Sequence, residues 1–297
     1  MRIDSKTTVV GVIGYPVAHS LSPQMHNAAI QSLGINWCYL PFQVAPEDLA
    51  KAIQGMRGLG IRGLNVTVPH KQAVVRLLDW VSPEASAVRA VNTISNEGGR
   101  LEGYNTDVEG ILAALRLGVG LEKLPEKVVV LGAGGAARGI VYALTTVTDV
   151  RNIVILNRTV QKAERLAAEM ENMAKGKTRI KGRKLETETA RVELREAGLL
   201  INATPVGMYP NVNCSPIEVS SVFHPRLTLV DTIYNPKETK LMRLARSQGA
   251  KCFNGLDMLV YQGAKSLEIW TQRRAPVKVM KEAVMELAPQ PSALGQF

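Results

Sequence analysis

The run Val128-Val-Val-Leu-Gly132-Ala-Gly134-Gly135-Ala-Ala137-Arg138 restricts the folds open to this chain more than any other segment. Its unbroken apolar start needs burial on both faces, the condition of an interior strand in a parallel sheet. Glycines then turn the chain and small residues open a helix, so the segment reads as strand, turn and helix of a βαβ unit. The spacing is G-x-G-x-x-A. Missing side chains at such a turn let a pyrophosphate approach backbone N–H groups at a helix N-terminus, whose dipole favours anions. A tight βα turn alone would also use the glycines, but strand and helix flank them here as a dinucleotide site requires.

The end of the next strand discriminates between nicotinamide cofactors. An acidic residue there binds the ribose 2′-hydroxyl and repels a 2′-phosphate. This chain has Asn157-Arg158-Thr159, with Lys162 one helical turn beyond. Arg158 can pair with or stack on the phosphate and Thr159 can donate a hydrogen bond, so NADP is expected. The plainer reading makes Arg158 and Lys162 surface cations. The expected cofactor contacts are Gly132, Ala133, Gly134, Gly135, Ala136, Asn157, Arg158, Thr159 and Lys162. To these are added Gly255, and Thr204 and Met208 in the loop Asn202-Ala-Thr-Pro-Val-Gly-Met208, which follows a strand and is expected to pack beside the nicotinamide, with ordinary loop chemistry as the plainer reading.

Two alternations of strand and helix organise the chain. The second contains Lys127 to Gly132, Asn152 to Asn157, Gly198 to Asn202 and Leu227 to Asp231 as buried parallel strands. The first runs Val9 to Gly14, a helix from Ser22, Trp37 to Val44, a helix from Pro46, Gly63 to Val68 and a helix from Lys71. Asn92 to Gly103 follows as a hairpin with its turn at Gly98 and Gly99. After Gly255 come two helical patterns, Met258 to Trp270 and Pro276 to Leu287, expected to return to the first domain. The expectation is an α/β protein of two domains with a cleft between them. Residues 1–107 plus 255–297 form an α/β substrate domain with a mainly parallel sheet, and 108–254 a Rossmann-like NADP-binding domain.

Composition narrows the function. At 297 residues with a hydrophobic fraction of 46% the chain can build two packed cores. It has neither an apolar run of membrane-spanning length nor an N-terminal signal segment, which points to the cytoplasm. Cys38, Cys214 and Cys252 are few, separated and odd in number, as suits a reducing compartment. The histidines lack metal-ligand spacing, so no metal is expected. Net charge is +10, of which Lys175, Lys177, Arg179, Lys181, Arg183 and Lys184 supply six in one stretch. That stretch has no interleaved aromatics, reads as a solvated extended loop or hairpin, and argues for neither nucleic acid nor membrane as partner.

Three polar clusters interrupt the first domain: Gly14 to Asn27, Asn65-Val-Thr-Val-Pro-His-Lys71 and Gly103-Tyr-Asn-Thr-Asp107. Amide, hydroxyl, ammonium and carboxylate groups at strand ends are what a pocket for a polyhydroxylated ligand requires. Taken singly they have plainer readings: Lys71 as a solvated lysine, Asp107 as N-cap for Val108, Ile111, Leu112 and Leu115, and Ser22 with Pro23 as N-cap and first helical residue. On that reading Ser20 has no structural duty.

With these pieces in hand the chain resembles the shikimate dehydrogenase family from Gly11 to about Ala288. The resemblance rests on the three clusters, Ala90-Val-Asn-Thr93, Gly132 to Ala137, Asn157 to Thr159, Asn202 to Met208 and Asn254 to Ala264. It implies reversible NADPH-dependent reduction of 3-dehydroshikimate to shikimate, on the route to chorismate and the aromatic amino acids. Carried onto this sequence, it implies carboxylate contacts at Ser20 and Ser22, and ring-oxygen contacts at Asn65, Thr67, Lys71, Asn92, Asp107 and Gln262. Tyr234 and Gly255 become edge contacts, and Lys71 with Asp107 the catalytic pair. Two positions depart from the family: Lys162 stands for a second arginine, and Arg89 for a glycine, at a cost of about 1 kcal/mol if φ is positive there.

Lys71 is expected to be protonated and to polarise the carbonyl oxygen. A quinate or dual quinate/shikimate dehydrogenase using NAD or NADP is the nearest competing enzyme, but Ser22 and Arg158 favour shikimate and NADP. A catalytically silent NADP/shikimate sensor, or a folate-linked dehydrogenase, would bind without turning shikimate over. The expected partners are small molecules alone, with the chain a monomer or homodimer.

Overall fold

The computed structural model describes residues 3–174 and 176–287. In chain order the elements are β1 (Thr8–Gly14), α1 (Ser22–Ser32), β2 (Trp37–Gln43), α2 (Leu49–Gly58), β3 (Gly63–Val66), β4 (Trp80–Val81), α3 (Pro83–Val88), β5 (Thr93–Glu97), β6 (Arg100–Tyr104) and α4 (Asp107–Ala113). There follow β7 (Lys127–Leu131), α5 (Gly135–Thr146), β8 (Asn152–Asn157), α6 (Val160–Met173), β9 (Arg179–Lys184), α7 (Thr187–Leu194), β10 (Leu199–Asn202), β11 (Thr228–Asp231), α8 (Lys240–Arg246), β12 (Lys251–Phe253), α9 (Leu256–Thr271) and α10 (Val277–Leu287). No helix among the described residues is long and apolar enough to cross a membrane.

The chain divides into two compact units, Met1–Ala114 with Asp257–Val284, and Leu115–Leu256 with Met285–Phe297. Helix α4 lies in the first unit, and the second begins at Leu115.

In the first unit the sheet order is β2-β1-β3-β5-β6-β4. The β1 pairings with β2 and β3 and the β4 pairing with β6 are parallel, while β3–β5 and β5–β6 are antiparallel. The β5–β6 hairpin turns at Gly98 (φ 60°) and Gly99 (φ 94°), the positive values that a two-residue turn matching strand twist requires. One core gathers Ile13, Leu64, Val66, Val74, Val91, Ile94 and Leu101 against Leu49, Ile53 and Met56 of α2. Helix α9 joins this unit through Trp270, whose indole donates to Ile94 O at 2.9 Å. Gly63 makes room for that ring: a Cβ there would lie 2.3 Å from Trp270 Nε1.

The second unit is a fully parallel sheet in the order β12-β11-β10-β7-β8-β9. Renumbered from β7, this is the doubly wound order 3-2-1-4-5-6, with its switch point between β7 and β10. Val129, Leu131, Leu200, Leu229 and Leu241 are fully buried in its core.

Three local expectations are corrected. The basic stretch is not a loop: apart from Lys175, outside the described residues, it forms turn and edge strand β9. Only Ile180 is buried on that strand, so little apolar alternation marked it. The helix expected from Lys71 is a 3₁₀ segment at Ala73–Leu77, with Val74 its one buried residue; Leu78 is extended and leads into β4. Helix α1 is capped at Leu21, not Ser22, because Leu21 is already helical (φ −83°, ψ −4°) and its carbonyl takes the first bond, from Met25 N at 3.1 Å. Ser20, not Ser22, has the structural duty, its Oγ accepting from Ser22 N at 3.2 Å.

Arg89 ends α3 in the left-handed region, at φ 54° and ψ 37°. Arg89→Gly should therefore be more stable than Arg89→Ala by about 1 kcal/mol in denaturant melts, since both remove the side chain and only alanine keeps the strain. His26 is fully buried, stacked on Tyr39 at a centroid distance of 4.2 Å, and neither ring nitrogen has a partner. Burial pushes its pKa down to about 3 from 6.5. Between those values the unfolded chain binds the proton and the folded one does not, so stability falls as pH drops from 6.5 toward 3. In urea melts across that range His26→Leu should lose less stability on acidification than the parent, by on the order of a few kcal/mol.

Candidate active site

Lys71 and Asp107 come together because two chain segments leave one sheet at the same end. Beyond β3 a turn closed by His70 N to Thr67 O (2.9 Å) presents Lys71, whose own carbonyl accepts from Val91 N at 2.8 Å. Beyond β6, Asn105 and Thr106 lead into α4, whose first residue is Asp107. Lys71 Nζ donates to Asp107 Oδ2 at 2.6 Å, with the side chains 15% and 4% exposed. Asn92 Nδ2 donates to the other carboxylate oxygen at 2.9 Å. Asp107 N donates to Asn105 Oδ1 (3.1 Å), and Asn105 Nδ2 to Ala90 O (2.8 Å). The N-cap position belongs to Thr106, so the carboxylate of Asp107 serves the lysine and not its own helix.

A buried polar network backs this pair. Asn92 also donates to Thr106 Oγ1 at 2.9 Å and to Gln262 Oε1 at 3.3 Å, and its Oδ1 accepts from Thr106 N at 2.8 Å. Gln262 comes close because α4 carries Gly110, where a Cβ would lie 2.7 Å from Gln262 Cβ. One turn along α9, Ser266 accepts from Asn65 Nδ2 (2.9 Å) and bonds Thr93 Oγ1 (2.8 Å) and Thr106 Oγ1 (3.2 Å). Asn65 Oδ1 accepts from Tyr39 OH at 2.8 Å. Asn65 is thus engaged at both ends inside the unit. Thr67 stands at the end of β3, its methyl against Gly14, where a Cβ would lie 2.4 Å away. Ser20 is part-exposed at the entry to α1 and Ser22 is buried in its first turn.

In the second unit Gly132 has φ 102°, and a Cβ there would lie 3.1 Å from Ala203 O and from Thr204 Cγ2. Gly134, the N-cap of α5, has φ −87°, and a Cβ there would meet nothing within 4 Å. Neither conformation nor internal packing asks for glycine at Gly134, which leaves the backbone there open to close approach. Ala133 is the residue between them, and Gly135 and Ala136 open α5, where N–H groups of the first turn have no intrahelical acceptor. Arg138 is committed to Glu169 at 2.6 Å. Arg158, Thr159 and Lys162 are exposed, and Asn157 Nδ2 donates to Thr159 O at 2.9 Å.

The loop after β10 is held by its own polar chain. Asn202 Oδ1 accepts from Thr204 N (3.0 Å) and Thr204 Oγ1 (2.7 Å), while Asn202 Nδ2 donates to Asp231 Oδ1 (2.9 Å). Met208 at the loop's end is 42% exposed. Tyr234 is half-buried, and Gly255 N donates to Ile233 O at 3.0 Å, an approach in which a Cβ would lie 2.1 Å from Thr232 O.

Sequence reasoning gave no role to Thr106, Ser266, Tyr39, Thr93 or Asn105. The spacing of Gln262 and Ser266, one helical turn apart on one face, was the signal available for Ser266. Thr106 and Asn105 lay inside a motif already singled out.

Three family models match the chain: the shikimate dehydrogenase substrate binding domain over residues 12–94, shikimate/quinate 5-dehydrogenase over 119–205, and the shikimate 5′-dehydrogenase C-terminal domain over 255–285. A shikimate dehydrogenase (NADP(+)) of Methanopyrus kandleri is 49% identical over 286 residues, covering 96% of this chain and 98% of that one. A crystal structure of a shikimate dehydrogenase in complex with NADP+ has a TM-score of 0.88 at 42% identity, covering 97% of this chain and 98% of the other. One from Thermus thermophilus, in complex with NADP(H) and shikimate, has a TM-score of 0.80 at 38% identity, covering 94% and 99%.

Asp231 supplies a test of the second unit's loop support. Its carboxylate accepts from Asn202, Ile233 N (3.1 Å) and Thr239 Oγ1 (2.7 Å), yet burial outweighs these bonds and pushes its pKa up to about 6 from 3.8. Between those values the folded chain holds a proton that the unfolded one has lost, so stability declines as pH rises from 3.8 to 6. Asp231→Asn should remove that decline. His26 acts with the opposite sign over an overlapping range, so melts of the two single variants against the parent separate the terms.

Proposed function

The chain belongs to the shikimate dehydrogenase family, and we propose that it reduces 3-dehydroshikimate reversibly to shikimate with NADPH, using Lys71 and Asp107 at the reacting carbonyl. The observation that carries the site assignment is the 2.6 Å Lys71–Asp107 contact, in a setting where Asn92 occupies the second carboxylate oxygen. When bound, the cofactor supplies a hydride to the substrate's carbonyl carbon.

The residues do the rest. Carbonyl reduction needs a proton at the oxygen as the hydride reaches the carbon, and Lys71 Nζ is the donor; in oxidation it takes the hydroxyl proton back. Asp107 aims the ammonium, and because the pair is largely shielded from water the polarising charge is not dissipated by solvent. Asn92, Asn65, Thr67 and Gln262 set the orientation of the ring hydroxyls, and Ser20 and Ser22 take the carboxylate. Tyr234 and Gly255 contribute at the substrate's edge. Gly132 to Ala136 receive the pyrophosphate, Asn157, Arg158, Thr159 and Lys162 the 2′-phosphate, and Thr204, Met208 and Gly255 the nicotinamide side. The fit of Gly134, a glycine that nothing inside the protein requires, supports this placement.

Small molecules are the partners on this reading, with no nucleic acid, and the cytoplasm is the place of work, where three free cysteines stay thiols. The test is NADPH formation at about pH 9 from shikimate and NADP, with quinate and NAD run alongside. Turnover confined to shikimate with NADP is expected; comparable quinate or NAD rates would move the assignment to the dual enzyme. Lys71→Ala should lower kcat by roughly 10²- to 10⁴-fold while leaving the Kd for NADP unchanged. Retained turnover would remove Lys71 from the chemistry.

A further inference from the structure

We infer that Lys184, the last residue of β9, is a further cationic contact for the ribose 2′-phosphate, working beside Arg158. The inference rests on the cofactor assignment above and concerns a residue of the basic stretch to which that assignment gives no role.

Register places it. Strands β8 and β9 pair in parallel, with Asn157 opposite Lys184, and Leu185 N continues the ladder to Asn157 O at 3.0 Å. Adjacent strands lie about 4.8 Å apart and registered residues share a face, so Lys184 leaves the sheet beside Asn157 and on the same side. That side is the one covered by α6. Gly182, two residues earlier on the same face, lies so close to the helix that a Cβ would be 2.3 Å from Glu164 N and 2.4 Å from Ala163 C.

Two residues of strand advance about 6.6 Å, and a helix returning along the sheet covers that distance in about four residues. Counting four back from Ala163 and Glu164 brings Lys184 level with Thr159 and Val160, the first turn of α6. This turn contains no acidic residue, although the positive end of a helix dipole favours one. The groups around it are Arg158 and Lys162, both exposed, together with Lys184. The acid at hand is Glu186, paired with Lys184 at 3.1 Å with the two side chains 62% and 52% exposed. A solvated pair of that kind holds weakly, and a phosphate dianion competes well for the ammonium. Arg183 and Lys181 lie in register with Leu156 and Val154, whose neighbours include α7, and so leave on alternate faces from Lys184.

Calorimetric titration of the full chain with adenosine 2′,5′-bisphosphate and with adenosine 5′-phosphate tests this without turnover. Lys184→Gln should weaken the bisphosphate by roughly threefold to tenfold, the scale of one partly solvated charge-assisted contact, and leave the monophosphate unchanged. Glu186→Gln should tighten the bisphosphate, and Lys181→Gln should match the parent. An unchanged bisphosphate affinity in Lys184→Gln, or an equal loss in Lys181→Gln, overturns the role of Lys184 while leaving the cofactor assignment standing. A parent protein that does not prefer the bisphosphate overturns the cofactor assignment, and this inference with it.

Discussion

Holding an ammonium and a carboxylate together away from water is the constraint around which the first unit is arranged. Taking two charges out of solvent is costly, and their attraction offsets that cost only when the remaining hydrogen-bonding capacity is also met. Asp107 meets it by accepting Lys71 on one oxygen and Asn92 on the other. Asn92 in turn is held by Thr106, so the groups that fix the carboxylate are themselves fixed. The outcome is a lysine whose position is determined by three strand ends and a helix start, not by its own flexible stem.

Behind that layer Ser266, Thr93, Asn65 and Tyr39 continue the bonding into the core, where His26 ends it as a ring with no polar partner. Polar groups buried in this way are either fully satisfied or expensive. The serine, threonine and asparagine members are satisfied by one another, which ties α9 to a sheet nearly two hundred residues earlier in sequence. His26 is not satisfied; by remaining neutral it avoids only the further cost of a buried charge, and for that reason it makes the fold acid-sensitive.

The second unit meets a different constraint, leaving the backbone at the start of α5 open while its neighbouring loop is held by hydrogen bonds. Gly132 and Gly134 are glycines for different reasons: the first has positive φ and the loop at Ala203 pressed against it, the second has open space in front of it. The Asp231–Asn202–Thr204 chain stiffens the neighbouring loop from behind. Asp231 does this as a buried carboxylate whose hydrogen bonds do not fully repay its desolvation.

Much of this was legible in the residues. The glycine turn, the Gly98–Gly99 hairpin and the buried strands are local properties, set by backbone conformation and by alternation over a few positions. The clusters around Lys71 and Asp107 were legible as chemistry, since polar groups at strand ends have few structural uses. Strand β9 was not, because an edge strand with one buried side chain and a glycine against α6 has almost no apolar pattern to read. Nor was the exchange of duties between Ser20 and Ser22, which turned on one dihedral pair at Leu21. The sequence by itself determined which elements form and which chemical groups stand at their ends. Only the tertiary structure decided which of those groups meet, that Ser266 completes the bonds of Asn65 and that Lys184 stands beside Asn157, because such partners are chosen by sheet order and helix packing beyond the reach of one element, where no local spacing speaks.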